Sequence, residues 1–296
     1  MKIRIGIGLG AGGASDQAAF TAAVERMEQL GFDSLWLSEV LTTGVIDPLS
    51  GLAYAAGFTR KLKLGTTMTV TGRNPVRMAK QLATIDQLSK GRLLLVFVPG
   101  LTDRFEDQAL GMPVAERGAW VDEVLPLVRR LWSEEGVSHK GPRLCYEDIT
   151  LQPRPLQDPL EVWLGGTARS ALRRAGRLSD GWLPSLCTPE EAAAGRAAIE
   201  ACAEEAGRRI DPEHFGISMS YAHGAIPASQ AARIAKRRPN LDPAAVIPVG
   251  MQGTRDLLQR YIDVGFSKFV LRPGETPQSW PTELEQLADG VLSLQT

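Results

Sequence analysis

Ile3-Arg4-Ile5-Gly6-Ile7-Gly8-Leu9 opens the chain with an apolar residue at every second position, and Ala19, Phe20, Ala23, Val24, Met27 and Leu30 then recur at helical spacing. The first period is that of a strand and the second that of an amphipathic helix. Ser15 or Asp16 supplies an N-cap, and Gly31 stands where a left-handed residue closes a helix. Ser34-Leu35-Trp36-Leu37 follows as a second strand. Outward from this unit the alternation repeats. Asp47-Pro48 opens a helix to about Phe58, Leu62 to Val70 is a strand, and Asn74-Pro75 caps a helix closed before Gly91. Leu93 to Val98 is a fully apolar strand.

Trp120, Val121, Val124, Leu125, Val128 and Leu131 mark a fourth helix, from Glu116 to Trp132, with Pro126 predicted to kink it. Ser138 to Asp158, interrupted by prolines, reads as an irregular insertion containing a hairpin. Further strands are predicted at Glu161 to Leu164, Gly181 to Leu183, Gly216 to Tyr221 and Ser267 to Leu271. Helical patterns run through Ala168 to Ala175, Pro189 to Ala206 and Thr254 to Val264. Between them, residues 222–253 read as a short helix with a mobile loop. Eight strands joined by right-handed crossovers close most simply into a (β/α)8 TIM barrel with an insertion after the fourth helix, residues 1–296 forming one domain. An open doubly wound sheet is the competing topology. Either way, function belongs to the loops after the strands' carboxyl ends.

Composition narrows the function classes. Lys plus Arg (33) nearly balances Asp plus Glu (34), which leaves no general field for nucleic acid or an anionic membrane. Three scattered cysteines, Cys145, Cys187 and Cys202, form no zinc or disulfide pattern. The amino terminus lacks the apolar core of a signal peptide, and no apolar run spans a bilayer, so a cytoplasmic protein with a small-molecule substrate is expected.

The sharpest local signal is Glu161-Val162-Trp163-Leu164-Gly165-Gly166-Thr167-Ala168-Arg169, a strand ending in two glycines with a helix following at once. Such a turn brings backbone N–H groups and the positive end of a helix dipole to an anion, with Thr167 as the expected N-cap. Asp180-Gly181-Trp182 adds a glycine on the next strand, and together they point to a phosphate-bearing ligand. Leu64-Gly65-Thr66-Thr67-Met68 interrupts a strand with glycine, which suggests a bulge or close approach to a ligand. Glu39, after the second strand, puts a carboxylate at the barrel mouth, as a catalytic group or as the partner of a nearby arginine. His139, His214 and His223 share no ligand spacing, so no metal site is expected. Neither a nucleophile elbow nor a P-loop is present. Lys63 and Lys268 begin their strands, away from the reactive face. The reactive group is therefore expected to come from a cofactor.

Glu28 to Glu39, Asp47-Pro48-Leu49, Leu64 to Thr67, Arg73-Asn74-Pro75, Leu88 to Arg92, Gly165-Gly166 and Ser179 to Trp182 together resemble the luciferase-like monooxygenase superfamily. The resemblance is nearest to its F420-dependent oxidoreductase branch. It implies a hydride-transferring 5-deazaflavin, coenzyme F420, stacked on a non-proline cis peptide at Thr67-Met68. It also implies cofactor contacts from Thr66, Thr67, Met68, Gly100, Gly165, Gly166, Thr167, Ala168, Arg169, Gly181 and Trp182, and a role for Glu39 as the catalytic carboxylate. FMN is the alternative cofactor, in a monooxygenase; a cofactor-binding protein without turnover is a third reading. A homodimer agrees with the family's habits. Two departures stand out: Val40 replaces the catalytic histidine of the sugar-phosphate dehydrogenases, and Leu101 replaces their carboxylate after strand four. Hydride transfer without a histidine base is thus expected, and the arginines of residues 233–238 read as a solvated face.

Overall fold

The computed structural model describes residues 1–10 and 16–296; the candidate cap Ser15 lies outside them. The elements are β1 (Arg4–Leu9), α1 (Gln17–Leu30), β2 (Ser34–Ser38), α2 (Pro48–Phe58), β3 (Lys63–Thr69), α3 (Pro75–Ser89), β4 (Leu93–Val98), α4 (Arg104–Leu110), α5 (Val114–Ser133), β5 (Val137–Lys140), β6 (Cys145–Ile149), β7 (Val162–Leu164), α6 (Arg169–Leu178), β8 (Gly181–Trp182), α7 (Pro189–Glu205), β9 (Gly216–Tyr221), α8 (Ala228–Arg237), α9 (Gly250–Asp263), β10 (Lys268–Pro273) and α10 (Trp280–Val291). Eight parallel strands pair in the order β8-β7-β4-β3-β2-β1-β10-β9. Bridges between Trp182 and Phe215 and between Ser185 and Ser218 join the two ends, so the barrel closes.

Strand alternation divides the side chains between two environments. Ile5, Ile7, Leu35, Leu37, Leu64, Met68, Leu95, Phe97, Phe269 and Leu271 pack with apolar faces of the helices in the main core. Trp36, Val96, Leu183 and Val270, with Leu94, Val98 and Trp163, form a separate cluster that fills the barrel interior. Two glycines make room for its indoles. A Cβ on Gly65 would lie 2.4 Å from the Trp36 ring, and one on Gly181 2.4 Å from the Trp163 ring. The close approach expected of these glycines is therefore to tryptophan, inside the barrel.

Side-chain caps hold most of the helix starts: Asp16, Asp47, Asn74 and Thr188 each accept a first-turn N–H. Helix α5 runs on through Pro126. After it comes the insertion, where β5 and β6 pair antiparallel. The buried Asp86 of α3 fastens the returning chain by accepting from Leu156 N (2.7 Å), Gln157 N (2.9 Å) and Gln157 Nε2 (2.7 Å).

Two expectations are corrected, and one helix went unread. The peptide Thr67–Met68 is trans: the cis bonds among the described residues are Gln152–Pro153 and Asp158–Pro159. Strand β3 keeps its ladder across that position, with Thr67, Met68 and Thr69 opposite Val96, Phe97 and Val98, and a non-proline cis bond costs about 2.5–4 kcal/mol. The cap of α6 is Ala168, not Thr167, and it makes no side-chain bond. The seven-residue helix α4 has too little length to show a period, although Asp103 and Gly111 bracket it as N-cap and left-handed C-cap.

Candidate active site at the barrel mouth

At the carboxyl end of β3 the backbone is held by a charged pair. Glu39 Oε2 accepts from Thr69 N (2.8 Å), Arg73 Nε donates to Thr69 O (3.0 Å), and Arg73 also donates to Glu39 Oε1. The pair thus supplies partners for both backbone groups of Thr69 where the sheet ends. Glu39 is buried, and that burial pushes its carboxyl above the ordinary range, against the attraction of Arg73 and the Thr69 N–H. A cleft of about 170 Å³ opens here, lined by Glu39, Thr69, Thr71 and Arg73 with Leu41 and Leu110. Helix α4 walls it, held by the fully buried Glu106, which accepts from Thr42 N (3.2 Å). Arg117 anchors the same loop through Leu101 O (2.8 Å), Met112 O (3.1 Å) and Asp107 (2.8 Å).

Two strands away, β7 ends at Leu164 and the chain turns through Gly165 and Gly166 into α6. Gly166 has φ +93°, and a Cβ on Gly165 would lie 2.9 Å from Val98 Cγ1. Trp182 Nε1 donates to Gly166 O (2.9 Å) and steadies the turn from behind. The N–H groups of Thr167, Ala168 and Arg169 have no acceptor among the described residues. Uncapped first-turn donors and the helix dipole together make a cradle for an anion. Along α6, Arg169, Arg173 and Arg177 succeed one another at four-residue intervals, exposed and without ion-pair partners among the described residues.

The expected cofactor residues fall into groups. Gly165, Gly166, Thr167, Ala168 and Arg169 come together in this cradle. Thr67 shares the interior phase of Gly65 and Val96 and is partly exposed at the mouth. Gly100, at φ +96°, packs under Leu110 and against Thr69, a Cβ there lying 2.6 Å from Leu110 Cδ1. Thr66 and Met68 are fully buried on the helix side, away from the mouth. Gly181 faces Trp163, and Trp182 packs at 5.9 Å on Phe266, so these two support the cradle without lining it. Arg73, Glu106 and Arg272 escaped sequence reasoning. A charged residue in the interior phase of the last strand, after Lys268 and Val270, was the available sign for Arg272.

None of the three histidines lines this cleft, although His223 follows the carboxyl end of β9. His139 contacts Glu123 (3.1 Å), His214 contacts Asp180 O (2.9 Å), and His223 contacts both oxygens of Glu283 on α10 (2.8 and 2.9 Å). Among the described residues no three His, Cys, Asp or Glu side chains gather as a metal site, and no described helix is long and apolar enough to cross a membrane.

Parallel (β/α)8 barrels place their active sites at the strand carboxyl ends, and the uncapped glycine turn after the fifth strand and the charged clamp at the third both lie there. The chain belongs to the luciferase-like monooxygenase family, whose model matches residues 2–256. It is 33% identical over 177 residues to an F420-dependent glucose-6-phosphate dehydrogenase of Intrasporangium calvum, covering 55% of this chain and about half (51%) of that relative's length. It is 28% identical over 255 residues to a putative coenzyme F420-dependent oxidoreductase of Mycobacterium tuberculosis, covering 81% of this chain and 71% of that one. An FMNH(2)-dependent dimethylsulfone monooxygenase of Pseudomonas putida is 36% identical over 126 residues, 41% of this chain and 34% of its own. The fold superposes on an F420-dependent secondary alcohol dehydrogenase solved with an F420-acetone adduct, with TM-score 0.83 at 18% identity over all of both chains.

Proposed function

We propose that this chain is an F420-dependent oxidoreductase that works on a small organic substrate over the barrel mouth. The observation that carries this reading is the turn at Gly165 to Arg169, where N–H groups lacking acceptors among the described residues begin an uncapped helix. Its donors suit a phosphate, and the absent Cβ of Gly165 keeps the approach open between Val98 and Leu183. Bound there, the deazaflavin supplies a two-electron hydride donor or acceptor. Gly165, Gly166, Thr167, Ala168 and Arg169 hold the phosphate; Thr67 and Val98 border the mouth; Glu39 and Arg73 fix the end of β3 beneath it. No histidine among the described residues occupies the barrel interior, which favours a reaction without a strong base.

The partnerless stripe Arg169, Arg173 and Arg177 supports F420 over FMN, because F420 carries an oligoglutamate tail and FMN does not. The similarity to an FMN-dependent monooxygenase supports the second reading. Fluorescence titration with each cofactor separates them: F420 is expected to bind at least tenfold more tightly, and equal or tighter binding of FMN would establish the second.

A further inference from the structure

On the side of the mouth away from the α6 cradle, the loops after β2 and β4 bring apolar side chains to the cleft. Val40 to Ile46 and Pro99 to Thr102 contain no charged residue. Helix α4 and its cap carry three carboxylates, and each is engaged. Asp103 accepts from Phe105 N (3.0 Å) and Glu106 N (3.2 Å), Glu106 is fully buried against Thr42 N, and Asp107 pairs with Arg117 (2.8 Å). Within the cleft Glu39 and Arg73 neutralise each other, and the Thr71 hydroxyl donates to Pro99 O (2.8 Å). Leu41, Ala109 and Leu110 complete its lining. Two large apolar side chains here are uncovered, Leu41 at 47% exposure and Phe105 at 64%. They flank one contact, because each adjoins a partner of the Thr42–Glu106 hydrogen bond.

Exposed apolar side chains gathered at a concavity mark a ligand groove, and covering them releases water. The cleft, at about 170 Å³, is close in size to a cavity of about 150 Å³ that holds benzene. A carboxylate or phosphate entering it would lose hydration and meet the buried carboxylate of Glu39, whose one cationic neighbour in the lining is already paired. We propose that this cleft takes an uncharged apolar group of the substrate, of about the size of a phenyl ring, while the reacting end lies over the barrel. The two sides of the mouth then have opposite preferences: free N–H groups for an anion after β7, and an apolar wall after β2 and β4. This names a substrate class for the proposed reaction and so rests on that reading.

Fluorine NMR titration of the full chain with 4-fluorobenzyl alcohol and with 4-fluorobenzoate, each with and without F420, tests it. The alcohol is expected to bind at one site, at least tenfold more tightly than the benzoate. Leu41→Asp sets a carboxylate on the wall, and Ala109→Phe fills the cleft; both positions are exposed, so both variants are expected to fold. Each is expected to weaken alcohol binding at least tenfold, with F420 affinity changed less than threefold. Benzoate binding as tight as the alcohol, or alcohol binding unchanged in both variants, would overturn the proposal. So would a wild-type dimer that both variants dissociate while alcohol binding stays intact, which would give the apolar rim to a second copy of the chain. Should the wild type not bind F420, the cofactor reading fails by itself, and titration of the apo protein still reads the cleft.

Discussion

A valine at position 166 would have to adopt φ +93° and place its Cβ 3.2 Å from Ala171 Cβ, a conformation that β-branched residues scarcely visit. Gly166→Val is therefore expected to turn the N–H groups of the α6 cradle away from their ligand and weaken F420 binding at least tenfold, measured by fluorescence titration of a folded variant. Normal affinity would place the phosphate elsewhere. Trp182→Phe is subtler. It removes the donor to Gly166 O (2.9 Å) while keeping an aromatic ring against Phe266. A neutral hydrogen bond contributes about 0.5–1.5 kcal/mol, so affinity is expected to fall about two- to tenfold. His223→Asn belongs with the negative controls. Its imidazole is taken up by Glu283 on the outer, helix side of β9, beside the buried Tyr221 hydroxyl that also donates to Glu283 (2.5 Å). Turnover is expected to stay within about tenfold of wild type, whereas loss of a general acid or base costs about 10²–10⁴. A collapse of that size would bring back a histidine-based mechanism.

Strand ends opposite the mouth carry stability instead. Lys268 at the start of β10 donates to Asp33 Oδ2 (2.6 Å), and Lys63 at the start of β3 stands 3.7 Å from the other oxygen. Burial works against both charges and pushes the Lys268 ammonium down to about 8, while the two lysines hold the Asp33 carboxyl below its ordinary range. The pair is therefore ionised at neutral pH. Asp33→Asn leaves Lys268 buried and unpaired, and thermal or denaturant unfolding is expected to show a loss of about 3–5 kcal/mol. Because the folded-state value of Asp33 is lowered, its contribution is present above the ordinary carboxylate value of about 3.9 and fades as pH falls toward the lower one. The same elements show what was legible. Period and caps located the eight barrel strands and most long helices, α10 excepted, because those signals are local: Asp47, Asn74 and Gly31 act within one turn of where they stand. The glycine turn from β7 into α6 was legible for the same reason, its cap residue excepted. Helix α4 and Arg272 were not: the first is too short to have a period, and the second gains its place only when β10 meets β1 and its stem fills the space left by Gly8. Thr66 and Met68 were assigned to the mouth although alternation from Trp36 and Val96 turns them to the helices. Local composition named the right strand there, and only the register chose the face.

Across the whole molecule charge is nearly neutral, at −1, yet it is unevenly paired. Most half-buried arginines have a carboxylate within 4 Å, as in Arg117–Asp107, Arg129–Asp180 and Arg174–Asp122. Arg169, Arg173 and Arg177 on one face of α6 do not. A protein without net attraction for anions thus keeps a local positive field on α6, which starts at the barrel mouth with Arg169 and runs down the outside through Arg173 and Arg177. Such a field is screened over about 8–10 Å at physiological ionic strength, so it acts on a ligand group lying along α6. If the α6 stripe receives the oligoglutamate tail, binding of F420 must weaken with salt more steeply than binding of a deazaflavin lacking that tail. Between 50 and 300 mM sodium chloride, the F420 dissociation constant is expected to rise at least threefold, with a smaller change for the tailless form. The double variant Arg173→Gln, Arg177→Gln should bring the two slopes together while leaving the tailless ligand's affinity unaltered, since both residues lie beyond the first turn of α6 and away from the phosphate cradle. Equal slopes for the two ligands in the wild type would detach the stripe from the cofactor, and with it the argument from charge for F420 over FMN.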